Sequence, residues 1–162
     1  MTAETRITAE PGTPFITITR EFDAPRELVF RAYSEPDLIA RWLGPRGLKM
    51  TIDHFDVRAG GGYRYVHTDE DGNAYAFHGV FHGTPSVADG IVQTFEFEGT
   101  PGHACLERMT FEERDGRTVI HQRSVFESVA DRDGMVETGM ESGVNDSMER
   151  LDEVLADLAA RG

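Results

Sequence analysis

The chain has 162 residues, about the length of one ordinary domain. Acidic side chains outnumber basic ones by 29 to 16, a formal net charge of −13, so a surface that binds nucleic-acid phosphates is not expected. Apolar runs stop far short of the roughly 20 residues of a membrane-spanning helix, and the single cysteine, Cys105, excludes an intramolecular disulfide and a thiolate metal site.

The N-terminal segment, residues 1–14, lacks the apolar stretch of a secretory signal. We therefore expect a flexible leader followed by one domain over residues 15–162, with the cytoplasm as the default location. Phe15 to Phe22 alternate apolar and polar side chains with the period of a strand.

Two short helices are predicted directly after this strand. Asp23 and Pro25 are typical of a helix start, since Asp accepts hydrogen bonds from free N–H groups and Pro suits the first turn. Pro36 ends the first helix and begins the second, which closes near Gly44.

Residues 48–127 show repeated alternation interrupted by turn residues such as Asp115-Gly116. Turns at a spacing of about ten residues are typical of an antiparallel meander of hairpins. Strands are predicted near residues 48–57, 62–69, 74–84, 90–98, 104–114 and 117–127. Within the third of these, Gly79 predicts the close approach of another group, such as Trp42 or the long helix.

The last segment, about Asp131 to Ala160, is predicted as one long helix, because apolar residues recur at steps of three and four. Its opposite face is strongly acidic, which is typical of a solvated surface. A sheet with one apolar face must be covered, and only this helix is long enough to cover it. The sequence therefore predicts an α+β fold in which a curved, seven-stranded antiparallel sheet wraps around a long C-terminal helix.

This order of elements, together with five local stretches, resembles the START-like helix-grip superfamily, also called SRPBCC or birch-pollen-allergen-like. Within it, the chain is most similar to the family related to the C-terminal domain of the activator of heat-shock protein 90 ATPase. The stretches are REFDAPRELVFRAYSEPDLIARWLGP (20–45), FDVRAGGGYRY (55–65), GNAYAFHGVFHG (72–83), FEERDGRTVI (111–120) and RDGMVETGMESGVNDSMERLDEVL (132–155). The resemblance implies a cavity under the long helix but leaves the chemistry open, since a fold does not settle function.

Strand alternation indicates which side chains would face such a cavity. An apolar pocket with a few convergent polar groups is typical of a small-molecule site, although these polar groups could equally satisfy one another or lie in water at the strand ends. The candidate ligand-binding residues are Trp42, Tyr63, Tyr65, His67, Phe77, Gln93, Phe95, Glu107, Gln122, Ser124, Met140 and Ser147.

Catalytic and metal-binding patterns are sparse. His67 and Glu107 are the one candidate acid–base pair, because both are predicted to point into the cavity, and each also has a plain structural role open to it. His78 and His82 would lie about 13 Å apart on one strand face and cannot share a metal ion. No metal and no cofactor are expected.

Three functions follow from these observations. The leading hypothesis is noncatalytic binding of a small hydrophobic molecule, aromatic, polyketide-like or lipid-like. The alternatives are a cyclase-, dehydratase- or hydrolase-like enzyme that uses cavity residues, and a chaperone-associated stress protein. A chaperone partner is not expected, because the eukaryotic activator has a separate N-terminal domain for which this chain has no room. A homodimer stays open, because an exposed edge strand could pair two copies of the chain.

Overall fold

The computed structural model describes residues 4–161, which form an α+β fold of eight strands and four helices. The strands are β1 (Arg6–Thr8), β2 (Phe15–Phe22), β3 (Lys49–Phe55), β4 (Gly62–Thr68), β5 (Ala74–Ser86), β6 (Gly90–Phe97), β7 (Ala104–Arg114) and β8 (Arg117–Val125). The helices are α1 (Arg26–Ser34), α2 (Pro36–Trp42), α3 (Val129–Glu137) and α4 (Met140–Ala160). None of these helices is long and apolar enough to cross a membrane.

All the strands belong to one antiparallel sheet in the order β1–β2–β8–β7–β6–β5–β4–β3. The hairpins from β3 to β8 follow the predicted turns, and α1 and α2 separate β2 from β3 along the chain. The expected count of seven strands is wrong by one. The eighth strand is β1, which pairs with residues 17–19 of β2 and lies in the segment expected to be a leader. A three-residue strand is too short for its period to be recognised in the sequence.

The start of α1 differs from the expected local cap. Pro25 occupies the N-cap position, and no side chain of the segment itself caps the helix. Instead, the backbone N–H of Arg26 donates to Glu113 Oε1 at 2.8 Å. A carboxylate from β7 thus replaces Asp23 as the partner of an otherwise free N–H group at the positive end of the helix.

The predicted long C-terminal helix is confirmed as α4, but the range predicted for it, Asp131 to Ala160, is divided between α3 and α4. Gly139 separates the two with a φ of +79°, a left-handed conformation that glycine adopts at little cost. At the start of α3, Ser128 Oγ accepts a hydrogen bond from the backbone N–H of Asp131.

The core lies between α4 and one face of the sheet, which we call the inner face. From α4 it takes Met148, Leu151, Val154 and Leu155, all buried. The largest fully buried side chains that meet them from the other elements are Trp42, Tyr63, Phe22, Phe81, Ile91, Ile120 and Val29. Burial of this apolar area, at roughly 25 cal/mol per Å², is the main force that holds the helix on the sheet.

One buried ion pair joins α4 to the sheet. Arg20 alternates with Ile18 and Phe22 on the inner face of β2 and is only 2% exposed. Its guanidinium binds Asp152 of α4 through two parallel contacts, Nη1–Oδ1 at 2.9 Å and Nη2–Oδ2 at 2.6 Å, while stacking on the Phe22 ring. Such bidentate pairs fix orientation as well as distance, so this contact sets how α4 lies across β2.

We expect Asp152→Ala to destabilise the fold, because it leaves the Arg20 charge buried and unpaired. Breaking a fully buried ion pair costs about 3–5 kcal/mol. Here the Asp152 side chain is 38% exposed. Because water partly solvates the site, we expect a loss of about 2–3 kcal/mol. Urea denaturation measures this change. The matched control is Asp157→Ala on the same helix as Asp152. It removes exposed pairs with Arg41 of α2 and with Arg161 and should cost less than about 1 kcal/mol. Equal losses in the two variants would contradict the role of Arg20.

Candidate functional site

A cluster of polar side chains lies on the inner face around Glu107, and we call it the Glu107 cluster. Strand register brings it together, because Glu107 on β7 pairs with Gln93 on β6 and with Ser124 on β8. Glu107 Oε1 accepts from Gln93 Nε2 at 3.0 Å, and Oε2 accepts from Gln122 Nε2 at 3.2 Å and from Ser124 Oγ at 3.1 Å. Four residues that the sequence proposed separately as ligand contacts therefore form one hydrogen-bonded unit.

The carboxyl of Glu107 is held by neutral donors alone. Burial raises the pKa of Glu107, and the hydrogen bonds from Gln93, Ser124 and Gln122 only partly oppose that rise. Burial, with the nearby Glu107 charge, also raises the pKa of Cys105, so its thiol is not an activated nucleophile. Removing the proton of Glu107 would place a negative charge in this cluster. That step is therefore costly, as expected where polar groups are withdrawn from water.

Two amide oxygens of the cluster have no partner within residues 4–161. Gln93 and Gln122 each donate through Nε2, but neither Oε1 atom makes a hydrogen bond there. Neither atom is fully shielded from solvent either. These oxygens are therefore acceptors that a bound molecule with a hydroxyl group could use.

Tyr63 borders the cluster and explains the mid-strand glycine. Its hydroxyl donates to the Thr94 carbonyl at 2.6 Å, and Gln93 Nε2 lies 3.4 Å from the same hydroxyl. A Cβ on Gly79 would lie 1.9 Å from the Thr94 carbonyl oxygen and 2.7 Å from the Tyr63 hydroxyl. The predicted close approach at Gly79 thus exists, but the approaching groups are that carbonyl and that hydroxyl, not Trp42 or α4 as expected.

Aromatic rings continue the inner face from the cluster toward β4. Phe77 and Phe95 stack with centroids 5.3 Å apart, and Tyr65 stacks on the other side of Phe77 at 5.3 Å. Phe77 and Phe95 are only half-buried, in contrast to the closed core around Trp42. An apolar, stacked surface that is partly open therefore lies beside the polar cluster.

His67 belongs to a different part of the structure. Its ring packs against Gly44, where an added Cβ would lie 2.5 Å from Cε1, and its buried Nε2 atom has no hydrogen-bond partner among residues 4–161. Burial lowers the pKa of His67, with a smaller contribution from the Arg150 charge and an opposing hydrogen bond to the Leu43 backbone. The imidazole is thus favoured in its neutral form beneath the loop that follows α2.

Side chains of α4 hold that same loop from above. Ser147 Oγ accepts from the Gly44 backbone N–H at 2.8 Å, and Arg150 Nη1 donates to the Gly44 carbonyl at 3.0 Å. Trp42, at the end of α2, is 1% exposed and donates through Nε1 to the Ala32 carbonyl. Among the proposed ligand contacts, Trp42, His67 and Ser147 therefore already have structural partners, while Met140 is half-buried at the start of α4.

The proposed acid–base pair is not brought together. His67 pairs with Tyr75, whereas Glu107 pairs through Gln93 with Phe81. Tyr75 and Phe81 are six residues apart on β5, which corresponds to about 20 Å along the strand. The two side chains share a face of the sheet but cannot act on one substrate atom at this separation.

Two shallow depressions lie on the opposite, outer face of the sheet. One, of about 220 Å³, is lined by side chains of β2, β7 and β8, and the other, of about 380 Å³, lies around the β5–β6 turn. Neither opens beneath α4. Among residues 4–161, no group of three His, Cys, Asp or Glu side chains is arranged to hold a metal ion.

Sequence reasoning missed the residues that fix α4 and its loop, Arg20 and Arg150. Arg20 carried a usable signal, because it is a charged residue at an inward position of an alternating apolar strand. Arg150 carried none, since its partners are backbone carbonyls of α2 and of the loop after it, about a hundred residues away in the chain.

Comparison with solved structures supports the same architecture. The chain aligns with a protein of Arthrobacter aurescens at 26% identity and a TM-score of 0.85, covering 94% of this chain and 91% of the other. It aligns with Ms6760 of Mycobacterium smegmatis at 23% identity and a TM-score of 0.83, covering 94% of this chain and 96% of the other. A Rhodobacter sphaeroides protein aligns at 23% identity and a TM-score of 0.86, covering 95% and 99%. Among functionally curated proteins, none matches the chain.

An antiparallel sheet closed by a long C-terminal helix, with two short helices after its first long strand, defines the helix-grip class of proteins. The family model described as "Activator of Hsp90 ATPase homolog 1-like protein" matches residues 23–156. The chain belongs to that family, and the resemblance predicted from the sequence is confirmed.

We expect Glu107→Gln to stabilise the protein at neutral pH, and by less as the pH falls. The raised pKa means that the folded state binds the proton of Glu107 more tightly than the unfolded state does. The free energy of unfolding therefore falls as pH rises from the unfolded value of about 4.3 through the folded pKa. A glutamine has no such proton, and Gln93 can turn its amide to keep the hydrogen bond.

Urea denaturation of both proteins between pH 4.5 and pH 8 measures this difference. Glu70→Gln is the control, because Glu70 is an exposed carboxyl outside the cluster. A difference between wild type and Glu107→Gln that stays constant with pH, or grows toward acid, would contradict the burial of a carboxyl with a raised pKa.

Proposed function

We propose that the protein binds a small hydrophobic molecule, aromatic or lipid-like, between the inner face of the sheet and α4. The helix-grip fold is commonly a ligand-binding fold. The observation that carries the proposal is the Glu107 cluster next to the half-buried Phe77 and Phe95. Apolar area supplies affinity, and a few polar groups fix orientation, which is the usual division of roles in a small-molecule site.

The cluster favours a ligand with a hydroxyl group. Glu107 is half-buried, and withdrawing part of its carboxyl from water beside neutral partners costs free energy that an apolar core would avoid. The unpaired Oε1 atoms of Gln93 and Gln122 would each accept a hydrogen bond from such a hydroxyl. A planar aromatic molecule carrying the hydroxyl would also stack on Phe77 and Phe95, as those rings stack on each other.

The entry lies toward the N-terminal half of α4. Met140 and Val144 are half-buried, whereas Met148, Leu151 and Leu155 in the C-terminal half are buried. The helix is therefore less tightly packed at its first two turns, and a modest displacement there would admit a ligand to the aromatic surface. The loop contacts of Ser147 and Arg150 mark the point beyond which α4 is fixed.

We expect saturable binding of a hydroxylated flavanone such as naringenin in isothermal titration calorimetry. Flavanone without the hydroxyl groups should bind about tenfold more weakly, because the amide acceptors would lose their partner on binding. Oleic acid is the lipid-like probe. Absence of saturable binding by all three compounds would overturn the proposal.

Phe95→Leu tests the position of the ligand, since it removes a stacking ring but keeps an apolar side chain. Binding of naringenin should weaken about threefold to tenfold, the range expected for a lost aromatic contact. Leu106→Ala is the matched control, because Leu106 lies on the next strand at the outer face and is exposed. Equal weakening in the two variants would place the ligand elsewhere.

A further inference from the structure

The outer face of the sheet carries two arginines opposite each other. Arg108 on β7 and Arg123 on β8 are partners in the antiparallel register, so their Cβ atoms stand about 5 Å apart on one face. Like charges in this arrangement destabilise a sheet. The pair is therefore a feature that the fold itself does not favour.

No carboxylate compensates the two charges. Within residues 4–161, neither Arg108 nor Arg123 forms an ion pair or a side-chain hydrogen bond, although Arg31, Arg58 and Arg64 each hold a carboxylate. The chain has 29 acidic residues for 16 basic ones, so carboxylates are not scarce. Arg123 lies 4.0 Å above the Phe15 ring, which orients its guanidinium without neutralising it.

Donors other than arginine surround the pair. Thr17 is the register partner of Arg123, and Thr110 and Thr19 flank His121 in the adjacent row. These side chains and the two arginines line the outer depression of about 220 Å³. Arg108 also lines the second depression, with His82 and Asp89. On β7, the next carboxylate along the same face is Glu112, which pairs with Arg114 and lies 3.7 Å from His121.

We propose that this depression is a binding site for a compact dianion, a phosphate or a phosphate monoester. Two guanidinium groups provide planar, charge-assisted donors that match phosphate oxygens, and the threonine hydroxyls add neutral donors. The local positive charge is confined to a few side chains of a chain with a net charge of −13. A long polyanion or an anionic membrane would meet the repulsion of the whole protein, whereas a small anion meets mainly the local potential.

Titration with inorganic phosphate, followed by ¹H–¹⁵N NMR at an ionic strength held constant with NaCl, tests the site. We expect saturable shifts confined to amides of the outer strands around Thr17, Arg108, Thr110 and Arg123. Arg108→Gln should weaken binding about tenfold or more, and Arg123→Gln should do the same. Removing one charge of a repelling pair should not lower the melting temperature, so a loss of binding would not reflect unfolding.

Arg58→Gln is the matched control, because Arg58 is an exposed arginine that pairs with Asp56 away from this face. Phosphate binding should be unchanged in that variant. Shifts that do not saturate, or equal weakening in Arg58→Gln, would overturn the proposal in favour of general charge screening. A phosphate monoester could belong to a small molecule or to a lipid headgroup, and vesicles containing phosphatidic acid distinguish these two sources. Tighter binding to the vesicles than to free phosphate would overturn the assignment of a small ligand.

Discussion

The structure depends on one constraint, which is that one long helix, α4, aided by the short helices α1 and α2, must cover the apolar face of a whole sheet. The sheet offers buried aromatic and aliphatic side chains from β2 and from β4 to β8, while α4 supplies one stripe of apolar residues. Apolar contact is non-directional and would allow the helix to shift or rotate. The Arg20–Asp152 pair removes that freedom at β2, and the contacts of Ser147 and Arg150 with the loop after α2 remove it on the other side.

The same constraint explains where a binding site can exist. Met140 and Val144 in the first turns of α4 are half-buried, whereas Met148 and Leu151 further along the helix are buried, so the cover is looser at that end. The Glu107 cluster and the Phe77–Phe95 stack belong to the strands that this helix has to span. Polar groups at that position weaken the core, since each must be withdrawn from water and paired. Their presence at this cost to stability is the physical argument on which the proposed ligand site rests.

Much of this fold could be predicted from the sequence, because strand alternation and turn residues are local signals. The inward assignment of Gln93, Glu107 and Ser124 came from that alternation alone, and the register joins them on one face. The register itself could not be read, because it is set by pairing between strands distant in the chain. For this reason the sequence could not separate His67 from Glu107, although both assignments to the inner face were sound.

The features that were missed have a common physical origin. β1 is too short to show the alternation of a strand. Gly139, a single residue in the left-handed conformation, separates α3 from α4, and Glu113 caps α1 from a distant strand. Each depends on a single residue or on a contact made only after folding. Periodicity averages over many residues, so it finds the elements and overlooks the contacts that position them.

Strand alternation also makes the two faces chemically independent. Glu107 and Arg108 are neighbours in sequence, yet one accepts hydrogen bonds on the inner face and the other lies at the outer surface. Successive side chains of a strand point to opposite faces, so replacing one leaves the contacts of the next in place. The route that remains between the faces is the backbone of β7 and β8, which the Glu107 cluster and the outer depression share. A ligand on one face could influence the other only by changing the twist or pairing of those two strands, and a packed sheet resists such changes.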